Sequence, residues 1–177
     1  MCPAGFLFRI PQNKFEMTTF KRALVALDLS IMDEQLIKYS SFIAKHLNIE
    51  KVYFLHIIPD FSMPKNTSVE FHKLFNPEYP IDEKVKDQLA QAVQDNFGEA
   101  PGMELQVEVI EGNPYKKLIH WLEVKNIDLL IVGHKTESEG SGITAKRIAR
   151  NSNANMVFVS EKAPEPVQNI LVPIDFS

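Results

Sequence analysis

The 177-residue chain contains a single cysteine, Cys2, which excludes an intrachain disulfide and a cysteine cluster for zinc or iron–sulfur. No apolar run approaches the roughly 20 residues that a membrane-spanning helix needs. A formal net charge of -4 gives no electrostatic argument for nucleic acid or for an anionic membrane surface. Residues 1–10 lack the basic leader and apolar core of a signal peptide. We therefore expect a cytoplasmic protein without a nucleic-acid or membrane partner.

Composition and length predict one globular domain with appendages. Hydrophobic residues make up 45% and charged residues 24%, which are ordinary values for such a domain. We place the domain at residues 20–161. Residues 1–19 have no clear period and are predicted to form an amino-terminal arm, with a short added strand at 6–10 as the alternative.

Apolar runs without alternation are typical of strands that are covered on both faces, as in a parallel sheet between helices. The predicted strands are 23–27, 52–58, 129–132 and 156–159, with a partly alternating run at 105–110 that favours a position nearer the sheet edge. Helical spacing predicts helices at about 33–48, 81–97, 114–126 and after residue 142. Asn113 is a suitable N-cap and Pro114 a suitable first helical residue. This order predicts an α/β fold with a doubly wound, five-stranded parallel sheet.

A candidate ligand site lies where two of the predicted strands end. Asp28 follows the first strand, Gly133 ends the fourth, and glycines at 140 and 142 lead into the next helix. Ligands bind at this edge of open α/β sheets, and glycines before a helix favour anions. Alternatively, the glycines only turn a surface loop, and Asp28 caps the following helix.

Two other features have less specific interpretations. His56 lies within the second predicted strand, where a buried residue with one satisfied ring nitrogen is more common than a ligand. Residues 59–80 contain four prolines and form a long connection that is typical of a lid or a partner-binding segment, with one helical turn near 69–75.

The end of the chain repeats its first strand. Residues 22–30 (Arg-Ala-Leu-Val-Ala-Leu-Asp-Leu-Ser) recur as residues 169–177 (Asn-Ile-Leu-Val-Pro-Ile-Asp-Phe-Ser), after a proline-containing linker at 162–168. A repeat at domain-sized spacing predicts that 169–177 is the first strand of a second copy of the domain. The chain then corresponds to the amino-terminal part of a tandem protein or to a naturally shortened one.

Several of these segments together resemble the universal stress protein (UspA) family. Residues 25–30 are similar to the family's Val-Pro-Val-Asp-Gly-Ser, and residues 55–58 to its Leu-His-Val-Val strand. Residues 111–114 are similar to its Gly-x-Pro helix start, and residues 127–133 to its Asp-Leu-Ile-Val-Met-Gly strand. The resemblance implies the strand order 3-2-1-4-5 of flavodoxin-like and adenine-nucleotide alpha hydrolase-like folds. It also implies a homodimer through the last strand, 155–160.

ATP-binding members of that family carry Gly, two residues, Gly, nine residues and then Gly followed by Ser or Thr. Gly133 matches the first position, but Thr136 replaces the second glycine and Gly142 is followed by Ile143. The loop is about four residues shorter than the family's pattern. Asp28 matches the adenine-contacting aspartate. Lys135, Ser138 and the hydroxyl of Thr136 are further polar groups in this loop. The implied binding residues are Ala26, Leu27, Asp28, Ser30, Ile57, Gly133, His134, Thr136, Gly140, Ser141 and Gly142.

The expected function follows from these departures. The sequence shows no nucleophile–base pair, no metal-ligand cluster and no lysine placed as in a Walker motif, so we predict no catalytic or metal-binding residues. We expect a stress-response regulatory domain that binds ATP or AMP weakly or in an altered way and acts through dimerisation or partner contacts. The alternative is a fully competent ATP- or AMP-binding protein with a shortened glycine loop.

Overall fold

The computed structural model describes residues 19–59, 81–134 and 143–163. The elements of this part, in chain order, are β1 (Arg22–Leu27), α1 (Met32–His46), β2 (Lys51–Ile58), α2 (Ile81–Phe97), β3 (Glu104–Glu111), α3 (Pro114–Val124), β4 (Leu129–His134), α4 (Ile143–Asn151) and β5 (Asn155–Ser160). Helices and strands alternate wherever the flanking segments are described. This alternation confirms the predicted α/β class.

The described strands form one parallel sheet in the order β3-β2-β1-β4-β5. The predicted order 3-2-1-4-5 is therefore confirmed, and β3 lies at an edge as its partial alternation indicated. β2 lies beside β1 on one side, and β4 lies beside β1 on the other, so the strand order reverses direction at β1. A ligand-binding crevice is expected at such a reversal of strand order.

The central strands are buried on both faces, which explains their unbroken apolar runs. Val25 and Phe54 point to one face and pack among side chains of α1 and α2, where Phe54 and Phe97 meet edge to face at 5.6 Å. Leu24 and Leu55 point to the other face and pack with residues of α3 and α4. Two apolar layers thus hold the sheet and fix its carboxyl edge in place.

Two helices end earlier than their apolar spacing predicted. The helix expected at 33–48 spans Met32–His46, and the helix expected at 114–126 ends at Val124. Asn48 and Asn126 have φ values of 53° and 49°. Asparagine tolerates this left-handed conformation, which is incompatible with continuing an α-helix, and each helix stops shortly before it.

The start of α3 is as predicted. The Lys116 N–H donates to Oδ1 of Asn113 at 3.1 Å, and Pro114 is the first helical residue. Trp121 packs edge to face on Tyr53 at 5.8 Å, while His120 is exposed. Trp121 therefore has a packing role, and His120 lies at the surface.

Several predictions concern segments outside the described residues: most of the arm at 1–19, the helical turn near 69–75, the loop glycines at 140–142, and the repeat at 169–177. In the part of the chain that the structure describes, no helix is long and apolar enough to cross a membrane.

Candidate nucleotide site at the carboxyl edge of the sheet

The tips of β1 and β4 lie side by side at the carboxyl edge. Ala26 of β1 pairs with Val132 of β4. Asp28 therefore follows β1 beside the position where Gly133 and His134 end β4. The structure thus brings together the first strand tip and the start of the glycine loop, as the sequence predicted.

Asp28 is exposed and lies in a turn that leads to α1. Its Oδ1 accepts a hydrogen bond from the Ser30 N–H at 3.2 Å. The hydroxyl oxygen of Ser30 in turn accepts from the N–H of Met32, the first residue of α1, at 3.3 Å. Ser30 therefore bonds the helix start, and Asp28 shapes the loop before it.

Asp33, which sequence reasoning did not single out, stabilises this loop through hydrogen bonds to its backbone. Its Oδ1 accepts from the Asp28 N–H at 3.3 Å, and its Oδ2 accepts from the Leu29 N–H at 2.9 Å. The residue is only 7% exposed. Aspartate is common in the first turn of a helix, where its charge interacts favourably with the helix dipole. The sequence therefore gives no sign that Asp33 also accepts hydrogen bonds from the loop.

Burial raises the pKa of the Asp33 carboxyl to about 6. The hydrogen bond from the Asp28 backbone opposes this rise, while the nearby Asp28 charge and a hydrogen bond between the two side chains add to it. Asp33 therefore binds a proton at a higher pH than an ordinary aspartate does.

Gly133 has a packing role that the sequence did not reveal. It does not end β4, as predicted, but pairs with Val159, and the strand continues to His134. A Cβ atom at Gly133 would lie 3.0 Å from Sδ of Met32. Glycine therefore avoids a tight contact with the buried Met32 side chain, which would have to shift to admit a larger residue. The sequence alone does not show this role, because Met32 and Gly133 come together only in the folded protein.

His56 is structural. It is buried, and its Nδ1 lies 3.0 Å from the carbonyl oxygen of Leu27. Because a carbonyl can only accept, Nδ1 carries the donated proton. This bond ties the end of β2 to the tip of β1, next to the almost buried Ile57. The prediction of a core histidine with one satisfied ring nitrogen is confirmed.

The other half of the predicted site lies outside the described residues. Thr136, Gly140, Ser141 and Gly142 belong to it. The helix expected after these glycines is present, since α4 begins at Ile143. On α4, the exposed Arg147 lies over the ring of Tyr115, with its guanidinium carbon 4.0 Å from the ring centroid.

A separate cavity of about 340 Å³ lies at the opposite, amino edge of the sheet. Asn126, Asp128 and Asn151 contribute to its lining. Oδ2 of Asp128 accepts from the N–H groups of Lys21 and Arg22 at 2.8 and 2.9 Å. That carboxylate therefore joins the starts of β1 and β4 and belongs to the scaffold. Among the described residues, no group of three or more metal-ligand side chains gathers in one place.

Comparison with known proteins identifies the family. The sequence model of the universal stress protein family matches residues 19–160, which is well over half of the chain. The chain belongs to the universal stress protein family. The resemblance inferred from short motifs is therefore confirmed for this family.

Individual family members are similar over most of their length. A universal stress protein of Methanocaldococcus jannaschii is 24% identical over 154 residues, which cover 82% of this chain and 85% of that protein. The solved UspA protein of Lactobacillus plantarum matches with a TM-score of 0.60 at 18% identity, covering 79% of this chain and 97% of its own. A universal stress protein solved in complex with cAMP matches with a TM-score of 0.57 at 14% identity, covering 81% and 98%. At these identities the structural matches establish the shared fold.

Proposed function

We propose that this universal stress protein domain binds an adenine nucleotide in the crevice between the tips of β1 and β4. The observation that carries the proposal is the placement of Asp28 beside Gly133 at the reversal of strand order. A family member of the same fold was solved with cAMP, an adenine nucleotide, and this supports the choice of ligand class.

Asp28 is the proposed adenine or ribose contact. A carboxylate accepts hydrogen bonds, which suits the amino group of adenine and the hydroxyl groups of ribose. The backbone of Ala26 and Leu27, together with Ser30, supplies further polar groups around the strand tip. Ile57, at the adjoining end of β2, supplies apolar surface.

The phosphate end is proposed to be weak or altered. Thr136 stands where the family's ATP-binding pattern has glycine, and the loop to Gly142 is about four residues short. A side chain restricts the approach of backbone N–H groups to a phosphate chain. We therefore propose that this domain has lost affinity for ATP more than for AMP, when it is compared with family members that carry the full pattern. Gly140, Ser141 and His134 are the proposed remaining contacts.

We propose a regulatory role in the stress response without catalysis. The sequence offers the Asp28 carboxylate at this site but no recognisable pattern of nucleophile and base. Signalling through a bound nucleotide then requires contacts with other molecules. The exposed edge of β5 is the proposed dimer surface, and residues 169–177 are proposed to begin a second copy of the domain.

Calorimetric titration with AMP and ATP tests the proposal. We expect AMP to bind, ATP to bind no more tightly, and Asp28→Ala to abolish the heat of both. Glu99→Ala is the matched control, because this exposed carboxylate follows α2 at the amino edge of the sheet. Equal loss in both variants, or no heat from the folded wild type, would refute nucleotide binding at Asp28.

A further inference from the structure

The cavity at the amino edge of the sheet is separate from the nucleotide crevice and has the size of a small-ligand site. Its volume is about 340 Å³, at the lower end of the range for pockets that hold small molecules. Leu122 and Ile127 are the buried members of its lining, and Ile119 and Ala154 are partly buried. These four side chains provide an apolar surface that an aliphatic chain can cover.

One buried polar atom of the lining has no hydrogen-bond partner. It is the hydroxyl oxygen of Ser152, and within the described residues it is the buried side-chain atom left in this state. Buried polar groups are nearly always hydrogen-bonded, so such an atom marks a place where a further group is expected. Ser152 lies in the connection from α4 to β5, at the edge opposite the proposed nucleotide site, so nucleotide binding does not explain it.

The neighbouring polar side chains offer acceptor oxygens to the same cavity. Nδ2 of Asn151 donates to the Arg147 carbonyl oxygen at 2.7 Å. Nδ2 of Asn155 donates to the Asp128 carbonyl oxygen at 3.2 Å. Because the nitrogen of each amide faces a carbonyl, the oxygen of each remains as an acceptor. The two backbone N–H groups that bond the Asp128 carboxylate both donate to Oδ2, which leaves its Oδ1.

The charges around the cavity favour a cation. Glu123 and Asp128 belong to the lining, and none of the lining residues, all of which lie in the described part, is basic. α3 and α4 both end at this edge, and the carboxyl end of a helix has a partial negative charge. The basic neighbours are placed elsewhere: Nζ of Lys125 lies over the Trp121 ring at 5.3 Å, and Arg150 is exposed in the last turn of α4.

We propose that this cavity binds a free aliphatic primary amine in its ammonium form. The ammonium group bonds Ser152 and the acceptor oxygens around it, and the methylene chain covers the apolar side chains. A primary ammonium group has three N–H donors, no acceptor and a positive charge at neutral pH, so it matches this lining. Its hydrogen bonds are charge-assisted and therefore stronger than those of a neutral donor. The proposal does not depend on the nucleotide site.

NMR titration of the chain with n-butylammonium chloride at constant ionic strength tests the ligand class. We expect saturable shifts of the amide signals at 151–155 and at Asn126. Butyltrimethylammonium keeps the charge but has no N–H donor, and 1-butanol keeps the chain without the charge. Each should bind about tenfold more weakly or less. Equal binding of butyltrimethylammonium, or no saturable shifts with n-butylammonium in folded protein, would overturn the proposal.

A capped lysine, Nα-acetyl-lysine methylamide, tests whether the amine is free. It presents the same ammonium group and methylene chain with the backbone that a lysine has in a protein. We expect it to bind more weakly than n-butylammonium, because the cavity has the volume of a small molecule. Tighter binding of the capped lysine would overturn the assignment to a free amine in favour of a partner protein's side chain.

Ser152→Ala distinguishes a ligand contact from a structural hydroxyl. Since this hydroxyl has no partner in the described part, its loss should leave the urea unfolding midpoint unchanged or raise it, yet lower the affinity for n-butylammonium about tenfold. Ser41→Ala is the matched control, because the buried Ser41 hydroxyl donates to the Phe97 carbonyl oxygen on the other face of the sheet. It should lower the unfolding midpoint and keep the wild-type affinity. Wild-type affinity in Ser152→Ala would overturn the assignment of this hydroxyl to the ligand.

Discussion

At the scale of single residues, the buried carboxyl of Asp33 stabilises a loop at a cost to the fold. It accepts two backbone hydrogen bonds from a segment with a left-handed residue. Its ionised form is disfavoured by burial and by the nearby Asp28. Strain of this kind is often found at functional sites, where a precise loop shape matters more than stability.

The titration of Asp33 predicts a pH dependence of stability. The pKa is about 6 in the fold against an ordinary value of 3.8, so the folded state binds more protons between these values. The stabilising contribution of the protonated group is therefore lost as the pH rises from about 4 to about 6. Asp33→Asn removes this loss, so its free energy of unfolding should rise relative to wild type over that range. Urea unfolding at pH 4.5, 5.5 and 7 measures the difference, with Glu34→Gln as control; parallel profiles for wild type and Asp33→Asn would contradict the assignment.

The contact between Gly133 and Met32 predicts a coupled effect on stability. In Gly133→Ala the new methyl group would lie 3.0 Å from Sδ of Met32, so the methionine must shift. We expect a loss of about 1 kcal/mol in the free energy of unfolding. In a Met32→Ala background the same change should cost less, because the obstructing side chain is gone. Equal costs in both backgrounds would mean that Met32 is not the reason for glycine here.

At the scale of elements, the sequence allowed the inner strands to be predicted because β1, β2 and β4 are buried on both faces. The unbroken run at Leu129–Val132 and the partial alternation at 105–110 distinguished a central strand from an edge strand. Asn113 and Pro114 likewise marked a helix start, because capping depends on neighbouring residues only. Asp33 could not be assigned in this way. Its partners are set by the turn of the loop, and the closeness of Met32 to Gly133 depends on how α1 crosses β4.

The N-cap of α3 predicts a local loss of stability. Asn113→Ala removes the acceptor for the Lys116 N–H, which lies 3.1 Å from Oδ1. We expect the free energy of unfolding to fall by about 1 kcal/mol, the usual cost of losing such a cap. Asn113→Asp keeps an acceptor and should retain most of the stability. Chemical unfolding compares the three proteins, and equal losses for alanine and aspartate would argue against capping.

At the scale of the whole molecule, the two edges of the sheet differ in what they expose. Phe158 on β5 is 43% exposed, a large apolar side chain on an open strand edge. Such an edge favours association with another copy of the chain. On β3, at the other edge, Leu105 is 37% exposed and is flanked by the polar residues Glu104 and Gln106.

The proposed dimer predicts different outcomes for charges at the two edges. Phe158→Glu should convert the dimer to a monomer, because it places a charge in the proposed apolar contact. Leu105→Glu is the matched control and should leave the dimer intact. Light scattering after size-exclusion chromatography gives the masses. If the wild type is a monomer, there is no dimer interface to assign. If only Leu105→Glu dissociates the dimer, the interface lies at β3 and not at β5.

The most direct test of the central claim is to map AMP binding by NMR on the backbone amides. We predict that shifts concentrate at the carboxyl edge, at Asp28, Leu29, Ser30, Gly133 and His134. The amino edge, with the cavity near Asn126 and Asp128, should remain unchanged. Shifts confined to that cavity, or no shifts at AMP concentrations well above those that saturate other nucleotide sites, would contradict a nucleotide site between β1 and β4.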